Sequence, residues 1–109
     1  MSVASDLRTL LLTLGYPVAQ GTYTGTATTY ITFNYTTKPE CFAGDEPDAE
    51  VYLIQVHLIA PATLNTTTLQ KTIKDLLMNA GYPYPSTTDA SDDPTEQHIV
   101  FETETDVGI

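Results

Sequence analysis

The sequence is poor in basic residues: its 109 residues include four Lys plus Arg against fourteen Asp plus Glu, which gives a formal net charge of -10. Proteins that grip duplex DNA neutralise its phosphates mainly with Lys and Arg, so this composition argues against such a role. A strongly acidic surface instead suits repulsion of nucleic acid or docking to a basic partner.

Cysteine and tryptophan are also scarce, with one Cys and no Trp. The single cysteine, Cys41, excludes an internal disulfide framework and fits a reducing cytosol. No Lys, Arg or His lies closer to it in sequence than Lys38. We therefore expect Cys41 to be buried as a small apolar residue and not to act as a nucleophile.

Long apolar runs and catalytic motifs are missing as well. No segment approaches the ~20 apolar residues of a membrane span, and the first residues lack the charged start of a signal peptide. There is no glycine-rich phosphate loop, no Gly-x-Ser-x-Gly and no Cys-x-x-Cys. We expect a soluble, cytoplasmic, single-domain protein over residues 1–109 that is not an enzyme and uses no cofactor.

The longest apolar run, from Glu50 to Pro61, has the pattern of a central β-strand, and Pro61 ends it because proline cannot donate to a ladder. Alternate residues form two faces. One face is entirely apolar and is predicted to contact the helices: Tyr52, Ile54, Val56 and Leu58. The other face has two polar interruptions: Val51, Leu53, Gln55, His57 and Ile59.

Two segments have helical periodicity. Residues 5–14 and 66–80 each place leucines and other apolar residues on one face, with Ser5 as a predicted N-cap and Thr67 and Gln70 at capping-box spacing. Each ends in a Gly-Tyr-Pro sequence, where Gly15 and Gly81 suit the left-handed position after a helix.

The other strand predictions are residues 20–25 and 28–35, as a hairpin, and 97–103, near a sheet edge. An acidic polar loop is predicted at 83–96 and a loose tail at 104–109. The resulting fold is α+β, with two layers: a mostly antiparallel four-stranded sheet and two helices on one face.

Two acidic segments are candidate contact sites. The connection 36–48 is too long for a hairpin turn, and it ends in an acidic cluster. A second cluster lies in the 83–96 loop. Neither has the spacing of a calcium loop, so a basic protein partner and a merely solvated loop remain the main readings. The clusters are Asp45, Glu46, Asp48 and Glu50, and Asp89, Asp92, Asp93 and Glu96.

His57 and His98 lie on strands that could be neighbours. With a nearby carboxylate they would permit acid–base chemistry or form half of a zinc site, although a closed zinc site would also need Cys41 and a carboxylate. A polar position on the second sheet face or at a subunit contact explains His57 better. On that face Val51, Leu53 and Ile59 would leave an exposed apolar patch, which predicts self-association.

The order of these motifs resembles the small tail-terminator and tail-completion proteins of long-tailed bacteriophages, also called neck or tail-to-head joining proteins. The resemblance covers most of the chain and rests on structural motifs. These are Leu-Gly-Tyr-Pro-Val at 14–18, Tyr-Ile-x-Phe at 30–33, Gln-Val-His-Leu-Ile-Ala-Pro at 55–61, Ala-Gly-Tyr at 80–82 and His-Ile-Val-Phe-Glu at 98–102.

The resemblance implies a virion protein, assembled in the host cytoplasm, that forms a ring, typically a hexamer, at the head-proximal end of the tail. Such a ring stops tail-tube polymerisation and offers a surface to the head connector, while DNA passes through without specific binding. Charge reversal of Asp45 and Glu46 is then expected to impair assembly. The residues predicted at partner or oligomer contacts are Lys38, Asp45, Glu46, Asp48, Glu50, Val51, Leu53, Gln55, His57, Asp92 and Asp93.

Two other classes remain open. An acidic monomer or dimer that docks to a basic enzyme, as an inhibitor or DNA mimic does, would also explain the charge. A small hydrolase or isomerase would require His57, His98 and a carboxylate to converge in a pocket.

Overall fold

The computed structural model describes residues 3–40 and 49–108, and of residues 39, 40, 49, 50 and 106–108 it describes the backbone alone. The order of elements is helix, two strands, a long central strand, helix and two strands. Their bounds are α1 (Val3–Leu12), β1 (Val18–Gln20), β2 (Tyr30–Glu40), β3 (Ala49–Pro61), α2 (Thr67–Asn79), β4 (Ser86–Asp89) and β5 (Glu96–Gly108). No helix in the described ranges is long and apolar enough to cross a membrane.

The strands form one mixed sheet in the order β1-β2-β3-β5-β4, in which β1 runs parallel to β2 and every other pair is antiparallel. The α+β class is therefore confirmed, whereas the prediction of four strands is wrong. The predicted 20–25 and 28–35 hairpin is also wrong, because β1 ends at Gln20 and pairs in parallel with residues 31–33 of β2. The predicted 83–96 loop contains β4.

The core lies between the helices and one face of the sheet. Across the three long strands, Phe33, Val56 and Phe101 align in register, and each is almost fully buried. The predicted helix-facing side of β3 is confirmed: Ile54, Val56 and Leu58 belong to the core cluster, and Tyr52 packs against it. The helices contribute Leu7, Leu11, Ile73 and Leu77 to the same cluster.

The helix ends follow the predicted glycine signals more closely than the predicted caps. Gly15 and Gly81 have φ angles of 87° and 102°, a region that favours glycine because it has no Cβ. Ser5 is not an N-cap, because α1 begins at Val3. The capping box is also absent: Asn65 Oδ1 accepts from the Thr67 N–H at 3.1 Å.

Thr66 instead joins α2 to the last strand. Its hydroxyl donates to Gln97 Oε1 at 2.7 Å and accepts from Gln70 Nε2 at 3.0 Å. The Gln97 amide also donates to the carbonyl oxygens of Pro61 and Leu64, at 2.8 and 2.7 Å. This network fixes the β3–α2 connection against β5, and it satisfies a hydroxyl on a residue that is only 3% exposed.

Strands β2, β3 and β5 continue past the helical layer as a three-stranded arm, which we define as residues 36–40, 49–53 and 104–108. A 13-residue strand spans about 43 Å, whereas a 13-residue helix spans about 20 Å, so α2 cannot cover the full length of β3. The molecule accordingly measures 52 × 26 × 25 Å.

The arm corrects two sequence predictions. Residues 36–40, expected to begin a long connection, belong to β2, and the link between β2 and β3 is residues 41–48. Residues 104–108, expected as a loose tail, continue β5 as far as Gly108, which is paired with Ala49.

Candidate functional site

The second face of the sheet, opposite the helices, carries polar side chains in rows across the three long strands. The strand register places Thr32, His57 and Val100 in one row and Asn34, Gln55 and Glu102 in the next. Two further rows are Thr36, Leu53 and Glu104, and Tyr30, Ile59 and His98. A sheet face with this much polar surface can meet water or a polar partner.

The apolar patch expected on this face is smaller than predicted. Val51 and Ile59 are buried within the single chain, at 5% and 7% exposure, whereas Leu53 is 41% exposed. Ile59 lies in register between Tyr30 and His98, and the Tyr23 ring stacks on Tyr30 with 4.4 Å between ring centroids. Leu53 is therefore the apolar side chain of the three that is available for a contact.

His57 and His98 are in direct contact on this face, as the sequence suggested they could be. His57 Nδ1 and His98 Nε2 are 2.7 Å apart, and the ring centroids are 5.0 Å apart. At this distance one nitrogen donates a proton and the other accepts, so at least one ring must be neutral for the bond to form.

Electrostatics around the pair favour neutral His57. Partial burial and then the neighbouring His98 lower the pKa of His57 below its ordinary value of 6.5, while Glu102 acts in the opposite direction. Burial disfavours the charged imidazolium, and a second histidine adds like charge when both are protonated. The pair is thus arranged as a hydrogen-bonded polar contact at neutral pH.

The histidine pair does not form the core of a metal site in the described part of the chain. No group of three or more His, Cys, Asp or Glu side chains that could hold a metal ion occurs there. Cys41, which a closed zinc site would need, lies outside the described residues.

A shallow groove of about 560 Å³ lies at the base of the arm. Its lining runs from helix-side residues such as Tyr35 and Thr103 to Leu53 and Glu104 in the neighbouring rows, and it extends to Pro83 and Tyr84 in the connection before β4. Glu102 lines the groove, but His57 and His98 do not. The arrangement required for histidine acid–base chemistry in a pocket is therefore only partly present: the histidines meet each other, but not in this groove.

The structure describes the second acidic cluster in full and the first only in small part. In the second cluster, Asp89 accepts from the backbone N–H and hydroxyl of Ser91 at 2.9 and 2.6 Å, and Asp93 accepts from the same groups of Thr95 at 2.8 and 2.7 Å. These bonds lower the pKa of both carboxyl groups and stabilise the turns between β4 and β5. Asp92 and Glu96 are exposed.

The first cluster falls largely outside the described residues. Asp45, Glu46 and Asp48 lie in the 41–48 link, and Glu50 lies on β3 with its side chain outside the description. Of the other predicted contact residues, Lys38 is exposed and pairs in register with Val51, while Gln55 and His57 are half-buried on the second face.

The basic residues are divided unevenly between the strands and the helices. Lys38 is the single cation within any of the five strands, because the other basic residues, Arg8, Lys71 and Lys74, lie on the helices. Lys71 pairs with Asp75 at 2.9 Å, and Lys74 lies over the Tyr84 ring. The sheet side is consequently more acidic than the helix side, a division that follows from the segments predicted as helices in the sequence.

No protein-family model matches the sequence, and no curated protein matches it at a significant level. Among solved structures, six chains match. One of them aligns over 99% of this chain and 98% of its own length, with a TM-score of 0.61 and 13% sequence identity. At this identity the similarity establishes an α+β fold shared over the full chain, and nothing about function.

Proposed function

We propose that this protein is a structural subunit of a ring at the head-proximal end of a phage tail. There the ring would stop polymerisation of the tail tube and give the head connector a surface to dock on. In this proposal the protein is made in the host cytoplasm, becomes part of the virion neck, and performs no chemistry.

The observation that carries the proposal is the three-stranded arm with its polar second face. A radius of gyration of 15.2 Å exceeds the value of about 13 Å typical of a compact domain of this length. An extended sheet that the helices leave uncovered is unusual for an isolated small domain, because its surface is not buried by other parts of the same chain. Contact with neighbouring subunits would cover this surface in the assembled ring.

Charge and motif order add support. The motif resemblance described above points to the same class of ring-forming neck proteins. The formal charge of -10 suits a ring through which DNA must pass without being held, because duplex binding depends on cationic contacts to phosphates. The exposed Leu53 beside the groove supplies apolar area for a protein contact.

An acidic protein that inhibits or masks a basic partner is the second candidate, and the same net charge favours it. It differs from the ring proposal in stoichiometry. An inhibitor would form a complex of fixed composition with one basic protein and would not form a ring.

The direct test is to add the purified protein to the tail-tube protein of the same virus while the tube polymerises. We expect shorter tubes with extra density at one end in electron micrographs. Leu53→Asp is expected to weaken this effect, because it adds a charge to the second face. Leu12→Asp is the matched control, since Leu12 is a similarly exposed leucine, at 46% against 41%, on α1. Tubes that grow to normal length with folded wild-type protein present would contradict the proposal.

A further inference from the structure

Among the described residues, the outer edge of β2 is paired only at its start. The parallel ladder with β1 covers Ile31 to Phe33, and it closes where the Gly21 N–H donates to the Phe33 carbonyl at 2.8 Å. From Asn34 to Lys38, β2 pairs with β3 on one side, and no described strand lies on its other side. We call this stretch of about 16 Å the β2 edge. Pro39 ends it because proline has no N–H to donate.

Strand β5 has a second open edge on the opposite side of the arm. The ladder with β4 reaches Glu102, and the Thr103 hydroxyl donates to the Pro83 carbonyl at 2.8 Å. From Glu104 to Gly108, β5 pairs with β3 but with no other described strand. This stretch, the β5 edge, is also about 16 Å long. Open edges of this kind offer backbone N–H and C=O groups to another chain.

The geometry of the two edges favours head-to-tail contact. Both β2 and β5 are antiparallel to β3, so they run parallel to each other on opposite sides of the arm. A contact between two different surfaces of the same molecule repeats from copy to copy, and it closes into a ring when the rotation allows. A contact between identical edges would stop at a dimer.

The charges of the two edges also differ. The β5 edge carries the acidic residues Glu104 and Asp106, and the β2 edge carries Lys38. Pairing one β5 edge with another would place like charges side by side, which destabilises a sheet. Pairing the β5 edge with the β2 edge instead brings acidic side chains toward the one cation of the strands.

We propose that these edges pair with each other between copies of this chain. The β5 edge of one protomer extends the sheet along the β2 edge of the next, in parallel orientation, and Lys38 and the acidic residues of β5 oppose the alternative pairings. Main-chain hydrogen bonds supply the affinity, as in other cases of strand addition. This inference rests on the proposed ring and names the surface by which its subunits would join.

The test uses cysteine cross-linking in a Cys41→Ser background. Thr37→Cys places a thiol on the β2 edge, and Thr105→Cys places one on the β5 edge; the two positions lie at the same level, since both pair with Tyr52. A short bifunctional thiol reagent is added to each variant alone and to an equal mixture. We expect a covalent dimer in the mixture and little in either variant alone. Thr68→Cys places a thiol at an exposed position of α2 and is the control. It should cross-link with neither the Thr37→Cys protein nor the Thr105→Cys protein.

Charge exchange tests the pairing further. Lys38→Glu in the Thr37→Cys protein is expected to lower the cross-linked yield about two- to fivefold, because it puts like charges across the contact. Asp106→Lys in the Thr105→Cys protein should then restore it, because Asp106 and Lys38 both pair with Val51 and therefore lie at the same level. Dimers formed by either cysteine variant alone would overturn the inference in favour of pairing between identical edges. A mixture that gives no more cross-linking than the Thr68→Cys control would overturn it as well.

These outcomes separate the inference from the proposed function. Wild-type protein that shortens tail tubes while the edges fail to cross-link would retain the ring function and reject this contact. Edges that cross-link in a protein without effect on tube growth would retain the contact and reject the tail function.

Discussion

The lowered pKa of His57, which contacts His98, makes the stability of the folded protein depend on pH. Because the pKa of His57 is lowered in the folded protein, the unfolded chain binds more protons than the folded chain as pH falls below 6.5. The contribution of neutral His57 to the stability of the fold is therefore complete above the pKa of His57 in the unfolded chain. It is lost as pH falls through the lower pKa of His57 in the folded protein.

We expect the free energy of unfolding to decrease when pH is lowered from about 7.5 to about 5.5, a range in which Asp and Glu remain mostly ionised. His57→Gln should reduce this decrease, because glutamine does not titrate. Urea denaturation of both proteins at several pH values provides the measurement, and the slopes with pH are compared, not the absolute stabilities. Equal slopes for wild type and variant would show that His57 is not the group responsible.

At this scale the sequence predicted which residues of β3 face the helices, because alternation along one strand is a local signal. It also indicated that His57 and His98 could meet. It did not predict the burial of Val51 and Ile59, since burial on the second face depends on what the neighbouring strands and loops place beside each residue. Ile59, for example, lies between Tyr30 and His98 only because of the register of three strands.

At the scale of the element, β3 carries two leucines in opposite environments. Leu58 is fully buried in the core, and Leu53 is 41% exposed on the second face. Leu58→Ala should lower the free energy of unfolding by about 2–5 kcal/mol, because it leaves a cavity beneath the helices. Leu53→Ala should lower it by less than about 1 kcal/mol.

Because both variants make the same chemical change in the same strand, each is the control for the other in urea denaturation. Similar losses for the two would contradict the assignment of the faces. If Leu53 forms part of a subunit contact, Leu53→Ala should in addition weaken assembly, which Leu58→Ala would affect only through stability.

Elements differed in how well the sequence predicted them. The two helices and the three long strands were predicted because each has a sustained apolar period. Strand β4 was not, since all of its residues, Ser86 to Asp89, are exposed and give no apolar pattern. The extension of β2 to Glu40 was missed because residues 36–40 are polar and include Pro39, and β1 was misplaced because it has only three residues.

At the scale of the whole molecule, the arm is a consequence of strand pairing that no single segment encodes. The β2 and β3 segments each read as a strand, but their pairing as far as Glu40 and Ala49 depends on contacts between them. The concentration of cations on the helices, in contrast, follows from the two segments with helical periodicity. These two features support a protomer that uses its sheet to meet other copies of itself.

The most direct test of that account is the solution mass of the wild-type protein, measured by light scattering across a range of protein and salt concentrations, with electron microscopy of the same fractions. The account predicts a mass that rises with protein concentration to a closed oligomer and rings with a central hole. A mass that stays at one or two copies at every concentration, with no rings in the micrographs, would contradict it and favour the acidic inhibitor.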